Sequence, residues 1–221
     1  MSPGKAVVSW SSGKDCALAL IEARRAGVEV TGLLSTVSRV HDRVSVHGTR
    51  RALLRRQAGA LGLPLIEVPL PHPCPDAVYA AQMAAALPAV RATGATALVF
   101  GDLLLADVRA YREAQLEGTA LAALFPLWGR ATQDLSRQIL AEGIAAHVVA
   151  VDLARLPAEF AGRDYDAAFL ADLPEGIDPC GENGEFHTAV TGHPMFAAPV
   201  AVRAGETVLR DGFAYADLIP V

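Results

Sequence analysis

Short runs of Val, Ile and Leu alternate along this chain with longer stretches in which apolar residues recur at helical spacing. The short runs are typical of strands buried on both faces of a sheet, because they lack the polar alternation of a half-exposed strand. They predict strands at residues 7–10, 30–37, 65–68, 97–100 and 145–151. The intervening patterns predict helices at about 14–26, 48–61, 75–93, 106–119 and 131–142, several of them followed by a glycine stop signal.

This alternation predicts an α/β fold with a Rossmann-like, parallel, five-stranded sheet and helices on both faces. After residue 152 the pattern changes to one helical stretch at 164–173, a long polar segment, and short strands of antiparallel character. The turn residues that separate these last strands are Gly205, Asp211 and Gly212. We therefore expect a larger domain at residues 1–126 and a smaller C-terminal α+β lobe at residues 127–221.

Composition and charge narrow the class of protein. No apolar stretch of the 221 residues approaches the roughly 18 residues of a membrane span, so we expect a soluble protein with no membrane partner. The first residues lack a secretory signal, and the three cysteines are widely spaced, so we expect a reducing cytoplasm rather than a disulfide scaffold. A net charge of −5 without a long basic run argues against a dedicated nucleic-acid surface.

The first strand runs into a turn of small residues, Ser-Trp-Ser-Ser-Gly-Lys-Asp-Cys, at positions 9–16. A helix follows, so the backbone N–H groups of the turn and the positive end of the helix dipole can hold an anion. Lys14 adds a movable positive charge, and Cys16 at the helix N-terminus is expected to have some thiolate character. The sequence thus predicts a phosphate site, with an ordinary turn capped by Ser11 or Ser12 as the alternative.

The residues of this turn exclude two common nucleotide motifs. A Walker A loop needs a second glycine five positions earlier and a Ser or Thr after the lysine, whereas Asp15 follows Lys14 here. A dinucleotide fingerprint needs three spaced glycines, and the turn supplies only Gly13. Kinase, GTPase and dehydrogenase chemistry are therefore not indicated.

A second polar segment, Asp-Pro-Cys-Gly-Glu-Asn-Gly-Glu-Phe-His-Thr, occupies positions 178–188. Its two glycines allow sharp bends, and an extended backbone would place Glu185 and His187 on one face. Because no His-x-x-x-His or Cys-x-x-Cys pair is present, we favour an acceptor-binding and acid–base site over a metal cage made by protein alone. A plain exposed turn stays open as an alternative, as does a buried, hydrogen-bonded role for His187.

The first turn resembles the Ser-Gly-Gly-x-Asp-Ser pyrophosphate loop of the ATP pyrophosphatases, with Ser12 replacing a glycine and Cys16 replacing a serine. The segment at 178–188 is similar to the Gly-Glu-Gly-Gly-Glu-Tyr-Glu-Thr run of the diphthine-ammonia ligase family, also called the diphthamide synthase family. Further motifs in the family's order are Gly101-Asp102, Pro126-Leu127-Trp128-Gly129 and Gly143-Ile144-Ala145-Ala146. The resemblance covers residues 5 to about 195 and implies a HUP-type nucleotide-binding domain in a bacterial-type member.

The resemblance implies that ATP is split between its α and β phosphates, that a substrate carboxylate takes the AMP as an acyl adenylate, and that ammonia or an amine then displaces the AMP. The implied catalytic residues are Lys14, Asp15, Glu182, Glu185 and His187, with His187 shuttling a proton. ATP would contact Ser11, Ser12, Gly13, Lys14, Asp15, Cys16, Ser35, Thr36, Val37, His47, Gly101 and Asp102. The acceptor would contact Trp128, Gly181, Glu182, Asn183, Glu185, His187 and Thr188. Asp15 and Asp102 would help to place Mg²⁺ through the phosphates.

Asn183, Phe186 and His187 replace the Gly, Tyr and Glu of the diphthamide enzymes, next to the expected acceptor. The Arg- and Ala-rich composition suggests a GC-rich bacterium, and bacteria have no diphthamide-modified elongation factor. We therefore expect a small-molecule or protein-borne carboxylate other than diphthine. A nucleotide α-phosphate hydrolase and a non-catalytic ATP sensor of the universal-stress type are the alternatives. The sequence leaves the acceptor, the nitrogen donor and the oligomeric state open, a homodimer included.

Overall fold

The computed structural model describes residues 4–45 and 47–221. Within these ranges the strands are Lys5–Ser9 (β1), Glu29–Ser38 (β2), Arg43–Val44 (β3), Leu65–Leu70 (β4), Ala97–Val99 (β5), Ala122–Leu124 (β6), Ala145–Asp152 (β7), Phe186–Gly192 (β8), Val202–Arg210 (β9) and Phe213–Pro220 (β10). The helices are Lys14–Arg25 (α1), Arg51–Leu61 (α2), Asp76–Ala92 (α3), Ala106–Leu116 (α4), Thr132–Ala141 (α5) and Ala167–Asp172 (α6).

Five parallel strands form the first sheet, in the order β4-β2-β1-β5-β6. The two-residue strand β3 folds back antiparallel against the end of β2. The predicted parallel, five-stranded sheet is therefore confirmed. Because all five strands run in the same direction, the residues that follow β1, β2 and β5 meet at one edge of the sheet.

The fifth strand of the parallel sheet is not the one that the sequence predicts. Residues 145–151 do form a strand, but this strand, β7, lies in a second sheet with antiparallel neighbours on both sides. The fifth parallel strand is β6, whose three residues Ala-Ala-Leu carry too short an apolar run to be distinguished from the helix before it. An apolar run indicates that a strand is buried and does not indicate which sheet it joins.

The second sheet is antiparallel throughout, in the order β8-β7-β10-β9. Its C-terminal hairpin turns at Asp211 and Gly212, as the turn signals predict. Gly205 lies inside β9 and does not separate two strands. The pairing of β9 with β10 shifts register beside Gly205, and a Cβ there would meet the Asp217 Cβ at 3.0 Å, so this glycine marks a bulge.

Two apolar cores cover the two faces of the parallel sheet. On one face α1, α2 and α5 pack together with residues of the second lobe, including Phe169 and Phe186. On the other face α3 and α4 pack against β4 and β5 through residues such as Met83, Leu98 and Leu116. The second lobe therefore shares its core with α1, and this contact brings the polar segment at 178–188 to the edge of the sheet.

The helices predicted from periodicity agree with α1 to α5 to within three residues at each end. Gly62 ends α2 in the left-handed conformation that favours glycine. Among the described residues, no helix combines the length and apolar character that a membrane crossing requires.

Candidate nucleotide-binding site

A cleft of about 1190 Å³ opens at the carboxyl edge of the parallel sheet. The residues after β1, β2 and β5 form its floor. Residues 180–188 of the second lobe form one wall, and the start of α3 with α4 forms the opposite wall. The two polar segments singled out in the sequence thus face each other across one cleft.

The turn after β1 is held in a shape that glycine would adopt more easily. Ser12 has a φ of +78°, in the left-handed region, at the position where the pyrophosphate-loop pattern has glycine. Gly13 follows as the N-cap of α1, and a Cβ on Gly13 would lie 2.8 Å from the His47 Cε1 atom. Gly101 lets the end of β5 approach this turn, because a Cβ there would lie 2.9 Å from the Cys16 backbone nitrogen.

Hydrogen bonds with the second lobe and with α2 hold this turn in place. The Val190 N–H donates to the Ser12 carbonyl at 2.9 Å, and the Lys14 N–H donates to the Thr188 hydroxyl at 3.1 Å. Gln57, which is fully buried on α2, donates to the carbonyls of both Ser12 and Val190 and accepts from the Trp10 indole N–H. Gln57 was missed by sequence reasoning, since a glutamine on an amphipathic helix gives no signal that it is buried.

The side chain of Lys14 is buried and its ammonium is held by hydrogen bonds. This corrects the expectation of a movable charge. The Lys14 side chain is 2% exposed, and Nζ donates to the Cys180 carbonyl at 2.5 Å and to Asp15 Oδ2 at 3.0 Å. The ammonium also lies 5.3 Å from the ring centroids of Tyr165 and Phe186. Burial alone would lower the pKa of Lys14, but Asp15 and the surrounding negative groups hold that pKa above its usual value, so the ammonium stays charged.

Three carboxylates line the cleft beside this ammonium: Asp15, Asp102 and Glu182. Glu182 accepts from the N–H groups of Leu103 and Leu104 at 3.1 and 3.0 Å. Burial raises the pKa values of both Asp102 and Glu182, with Asp15 adding to each. The three acids therefore repel one another in a poorly solvated place.

The carboxylate oxygens of Asp15 and Asp102 suit a cation that is held partly by phosphates. Asp15 Oδ1 and Asp102 Oδ2 are buried and have no hydrogen-bond partner among the described residues. Carboxylate oxygens are the ligands that Mg²⁺ prefers, and Mg²⁺ usually takes one or two of them together with substrate phosphates. No group of three His, Cys, Asp or Glu in the described chain could hold a metal ion alone, so an all-protein cage is not formed there.

The polar segment at 178–188 is organised by Glu185, and the structure does not bring Glu185 into the cleft. Glu185 is fully buried and accepts from the Asn183 N–H at 2.9 Å and from the Asn183 side-chain amide at 3.0 Å. Burial would raise its pKa, but these bonds and the Asp178 N–H hold the pKa below its usual value. This location does not favour the expected catalytic role of Glu185, whose carboxylate takes its shortest hydrogen bonds from the backbone and side chain of its own segment.

His187 and His47 stack beside the loop with their ring centroids 4.8 Å apart. Burial, together with the neighbouring charges of His47 and Lys14, lowers the pKa of His187 to about 3. Burial also lowers the pKa of His47, whose Nδ1 lies 3.1 Å from the Thr188 carbonyl. Because a carbonyl can only accept, Nδ1 is the protonated nitrogen and Nε2 is left as an acceptor. The proton shuttle expected of His187 is therefore not supported near neutral pH, where both rings are neutral.

The cysteines of the site are thiols. Burial raises the pKa of Cys16 to about 11 and the pKa of Cys180 to about 12. The Cys16 thiol donates to the Gly13 carbonyl at 3.0 Å. The thiolate character expected of Cys16 from its place at a helix N-terminus is thus outweighed by desolvation.

Most of the residues predicted for the site do line the cleft, namely Ser11, Lys14, Asp15, Cys16, Ser35, Thr36, His47, Gly101, Asp102, Gly181, Glu182, Asn183, His187 and Thr188. Ser12, Gly13, Val37 and Glu185 lie behind this lining. Trp128 is not brought to the cleft, since its ring packs against Phe125 and against the Arg109 guanidinium, whose Cζ is 4.8 Å from the ring centroid. Tyr79 and Arg112 line the cleft without having been predicted, because their helices show an ordinary amphipathic pattern.

Two family models match consecutive parts of the chain. The family model of the diphthamide synthase N-terminal domain matches residues 4–115, and that of the diphthamide synthase C-terminal domain matches residues 131–218. Diphthine–ammonia ligases from Homo sapiens and Rattus norvegicus are each 31% identical over 101 residues, covering 43% of this chain. The match covers 38% of the length of these relatives.

A solved structure also resembles the chain. The crystal structure of a predicted subunit of a tRNA methyltransferase from Methanocaldococcus jannaschii superposes with a TM-score of 0.44 and 16% identity. The superposition covers 86% of this chain and 98% of that chain.

Proposed function

As the chain belongs to the diphthamide synthase family, we propose that it is an ATP-dependent ligase that cleaves ATP to AMP and pyrophosphate and forms an amide. One observation supports this proposal above the others. Lys14, in the pyrophosphate-like loop, is bound through Nζ to the Cys180 carbonyl and through its N–H to the Thr188 hydroxyl. These contacts hold the loop and the polar segment at 178–188 in one site. A transfer from ATP to an acceptor bound by that segment would require such proximity.

The loop would hold the phosphates of ATP. The N-terminus of α1 offers backbone N–H groups and the positive end of the helix dipole, and Lys14 supplies a fixed positive charge behind them. Because Lys14 is already desolvated and held in place, its charge needs no reorganisation as negative charge develops on the leaving pyrophosphate. Bound Mg²⁺, held by Asp15 and Asp102, would neutralise phosphate oxygens. Ser35 and Thr36, at the end of β2, would face the adenosine.

The transfer would proceed in two steps. A carboxylate oxygen of the acceptor attacks the α phosphorus of ATP, the bond to the bridging oxygen breaks, and pyrophosphate leaves with that electron pair. Ammonia or an amine then attacks the acyl carbon, AMP leaves, and the nitrogen loses one proton to give an amide. Asn183, Glu182 and the neutral His187 ring would orient the acceptor and the amine, since all three line the same wall.

We also propose that the acceptor is not diphthine. Two of the three departures from the diphthamide enzymes, Asn183 and His187, line the cleft wall that would contact the acceptor. His187 presents a neutral ring where the family pattern has a carboxylate, so the charge offered to an acceptor changes by one unit. A site that loses a negative charge would select an acceptor of different charge.

The proposal is tested by incubating the protein with ATP, Mg²⁺ and ammonium, with and without members of a panel of carboxylates that includes diphthine-bearing elongation factor. Nucleotides are separated by chromatography and pyrophosphate is measured by coupled enzymes. We expect AMP and pyrophosphate in equal amounts with one acceptor only, together with its amide. AMP formation that needs no acceptor would indicate the hydrolase alternative, and tight ATP binding without turnover would indicate the sensor.

A further inference from the structure

Arg112 has unused hydrogen-bonding capacity in the wall of the cleft. One terminal nitrogen donates to the Tyr79 hydroxyl at 3.1 Å, and its Cζ lies 5.3 Å from the ring centroid of Phe100. Its Nε lies 3.6 Å from Asp102 Oδ2, which is too long for a hydrogen bond. Both atoms are buried without any hydrogen-bond partner among the described residues.

Arg112 is less completely paired than Arg43, which also lines the cleft. Arg43 donates to Asp217 and to the Gly48 carbonyl at 2.9 and 2.8 Å, so its charge is compensated by the protein. A guanidinium has five N–H donors in a planar fork, and leaving a buried donor unmatched costs about 1–3 kcal/mol. Arg112 is within ion-pair distance of Asp102, but its guanidinium has donors left to take a further acceptor from a ligand.

We propose that Arg112 binds a second anionic group of the acceptor, a carboxylate or a phosphate, in addition to the carboxylate that reacts with ATP. This inference rests on the proposed ligase function and specifies its substrate class as a dicarboxylate or a phosphorylated acid. The guanidinium is suited to such a group, because its planar fork matches two oxygens of a carboxylate or phosphate at once.

The position of Arg112 favours the acceptor over the phosphates of ATP. Arg112 belongs to α4, on the face of the sheet covered by α3 and α4, whereas the phosphate loop belongs to the face covered by α1. Asp102 lies next to Arg112, with Arg112 Nε 3.6 Å from Asp102 Oδ2, and it follows β5 at the carboxyl edge of the sheet. An anion on Arg112 would therefore lie on the side of the cleft formed by α3 and α4, and an acceptor that reaches both Arg112 and the loop must carry its two anionic groups at different ends.

The inference is tested by calorimetric titration of the protein saturated with Mg²⁺ and α,β-methylene-ATP. The probes are succinate and 3-phosphoglycerate, with butyrate as the matched acid that lacks a second anionic group. We expect one of the first two to bind at least tenfold more tightly than butyrate. The preferred probe then distinguishes a dicarboxylate from a phosphorylated acid.

Three variants separate the role of Arg112 from a structural one. Arg112→Gln should abolish the preference for the second anion while changing the affinity for the ATP analogue by less than tenfold. Arg112→Lys keeps the charge without the fork, should keep part of the preference, and carries the test if Arg112→Gln fails to fold. Arg109→Gln is the matched control, because Arg109 lies one turn earlier on α4 and packs on Phe125 and Trp128 outside the cleft.

Equal binding of all three acids to the unmodified protein would overturn the inference, as would a preference that survives in Arg112→Gln. A parallel tenfold loss of affinity for the ATP analogue in Arg112→Gln would assign Arg112 to the nucleotide and would also overturn it. Failure of the proposed function looks different, since the unmodified protein would then bind ATP without turnover, form AMP without any acceptor, or release ADP.

Discussion

The Nζ atom of Lys14 lies 2.5 Å from the carbonyl oxygen of Cys180, a residue 166 positions further along the chain. This bond joins the first turn of α1 to the segment that precedes β8. It is one of the contacts that hold the two polar motifs of the sequence in one site although most of the fold separates them along the chain. The contact also fixes where the positive charge of Lys14 stands before any nucleotide arrives.

Ser12 stores backbone strain that a glycine would not have. Its φ of +78° costs an L-residue roughly 1–2 kcal/mol, and its buried hydroxyl has no partner among the described residues. Glycine removes both costs but adds entropy to the unfolded chain. We expect Ser12→Gly to raise the free energy of unfolding by about 1 kcal/mol, measured by urea denaturation. A destabilised Ser12→Gly variant would mean that the hydroxyl makes a favourable contact.

Gly13 leaves room for the His47 ring. Alanine at this position needs no unusual backbone, because φ is −94°, but its Cβ would lie 2.8 Å from His47 Cε1. We expect Gly13→Ala to weaken binding of an ATP analogue at least tenfold by displacing the loop or the ring.

The same substitution should cost much less in a His47→Ala background, where only the approach to the Thr188 carbonyl at 3.2 Å is left. A double-mutant cycle of analogue affinities measures this coupling. Equal losses in the two backgrounds would show that the ring is not the obstacle.

Glu185 should behave as a positioning residue. Glu185→Gln keeps the shape but removes the charge that binds three donors from Asn183 and Asp178. Hydrogen bonds to a charged group contribute about 1.5–3 kcal/mol, so we expect a loss of about 2 kcal/mol of stability and faster amide exchange in residues 178–184. Analogue affinity should change less than threefold.

Glu175→Gln, at an exposed position just before this segment, is the matched control and should change neither stability nor exchange. If Glu185→Gln instead abolishes turnover while exchange and stability stay unchanged, Glu185 acts in the chemistry after all.

The buried histidine pair makes stability depend on pH with a definite sign. Burial lowers the pKa of His187 to about 3 in the folded protein, below its usual value of about 6.5, so the unfolded chain binds more protons between these limits. The contribution of His187 to stability is therefore complete above pH 6.5 and is lost as the pH falls towards 3.

Other groups also titrate in this range, so the informative quantity is the difference between proteins. We expect the free energy of unfolding of His187→Asn to fall less between pH 7 and pH 5 than that of the unmodified protein. Urea denaturation at the two pH values measures both. Parallel losses would show that His187 is not held neutral.

Periodicity and apolar runs predicted the helices and the parallel sheet, because both arise from burial patterns within a few residues. Three-residue β6 gave no such pattern, and the run that forms β7 could not indicate that its neighbours would be antiparallel. Strand pairing depends on contacts between distant residues, which local patterns do not contain.

The same limit applies to the site. The motifs predicted which residues would gather at the cleft, and a family pattern named their chemistry. They could not show that Lys14 is clamped, that Glu185 faces away, or that desolvation outweighs the helix dipole at Cys16. Each of these properties depends on how the folded chain buries the side chain. The residue type and its neighbours in sequence do not contain that information.

We expect the loop containing Lys14 to direct cleavage of ATP between its α and β phosphates. ATP labelled at the α phosphate is incubated with Mg²⁺, ammonium and the active carboxylate, using the unmodified protein, Lys14→Ala, and Lys5→Ala as the control at an exposed lysine. The account predicts that all product label appears in AMP, that Lys14→Ala loses at least 100-fold in rate, and that Lys5→Ala does not. Label in ADP, or full activity in Lys14→Ala, would contradict it.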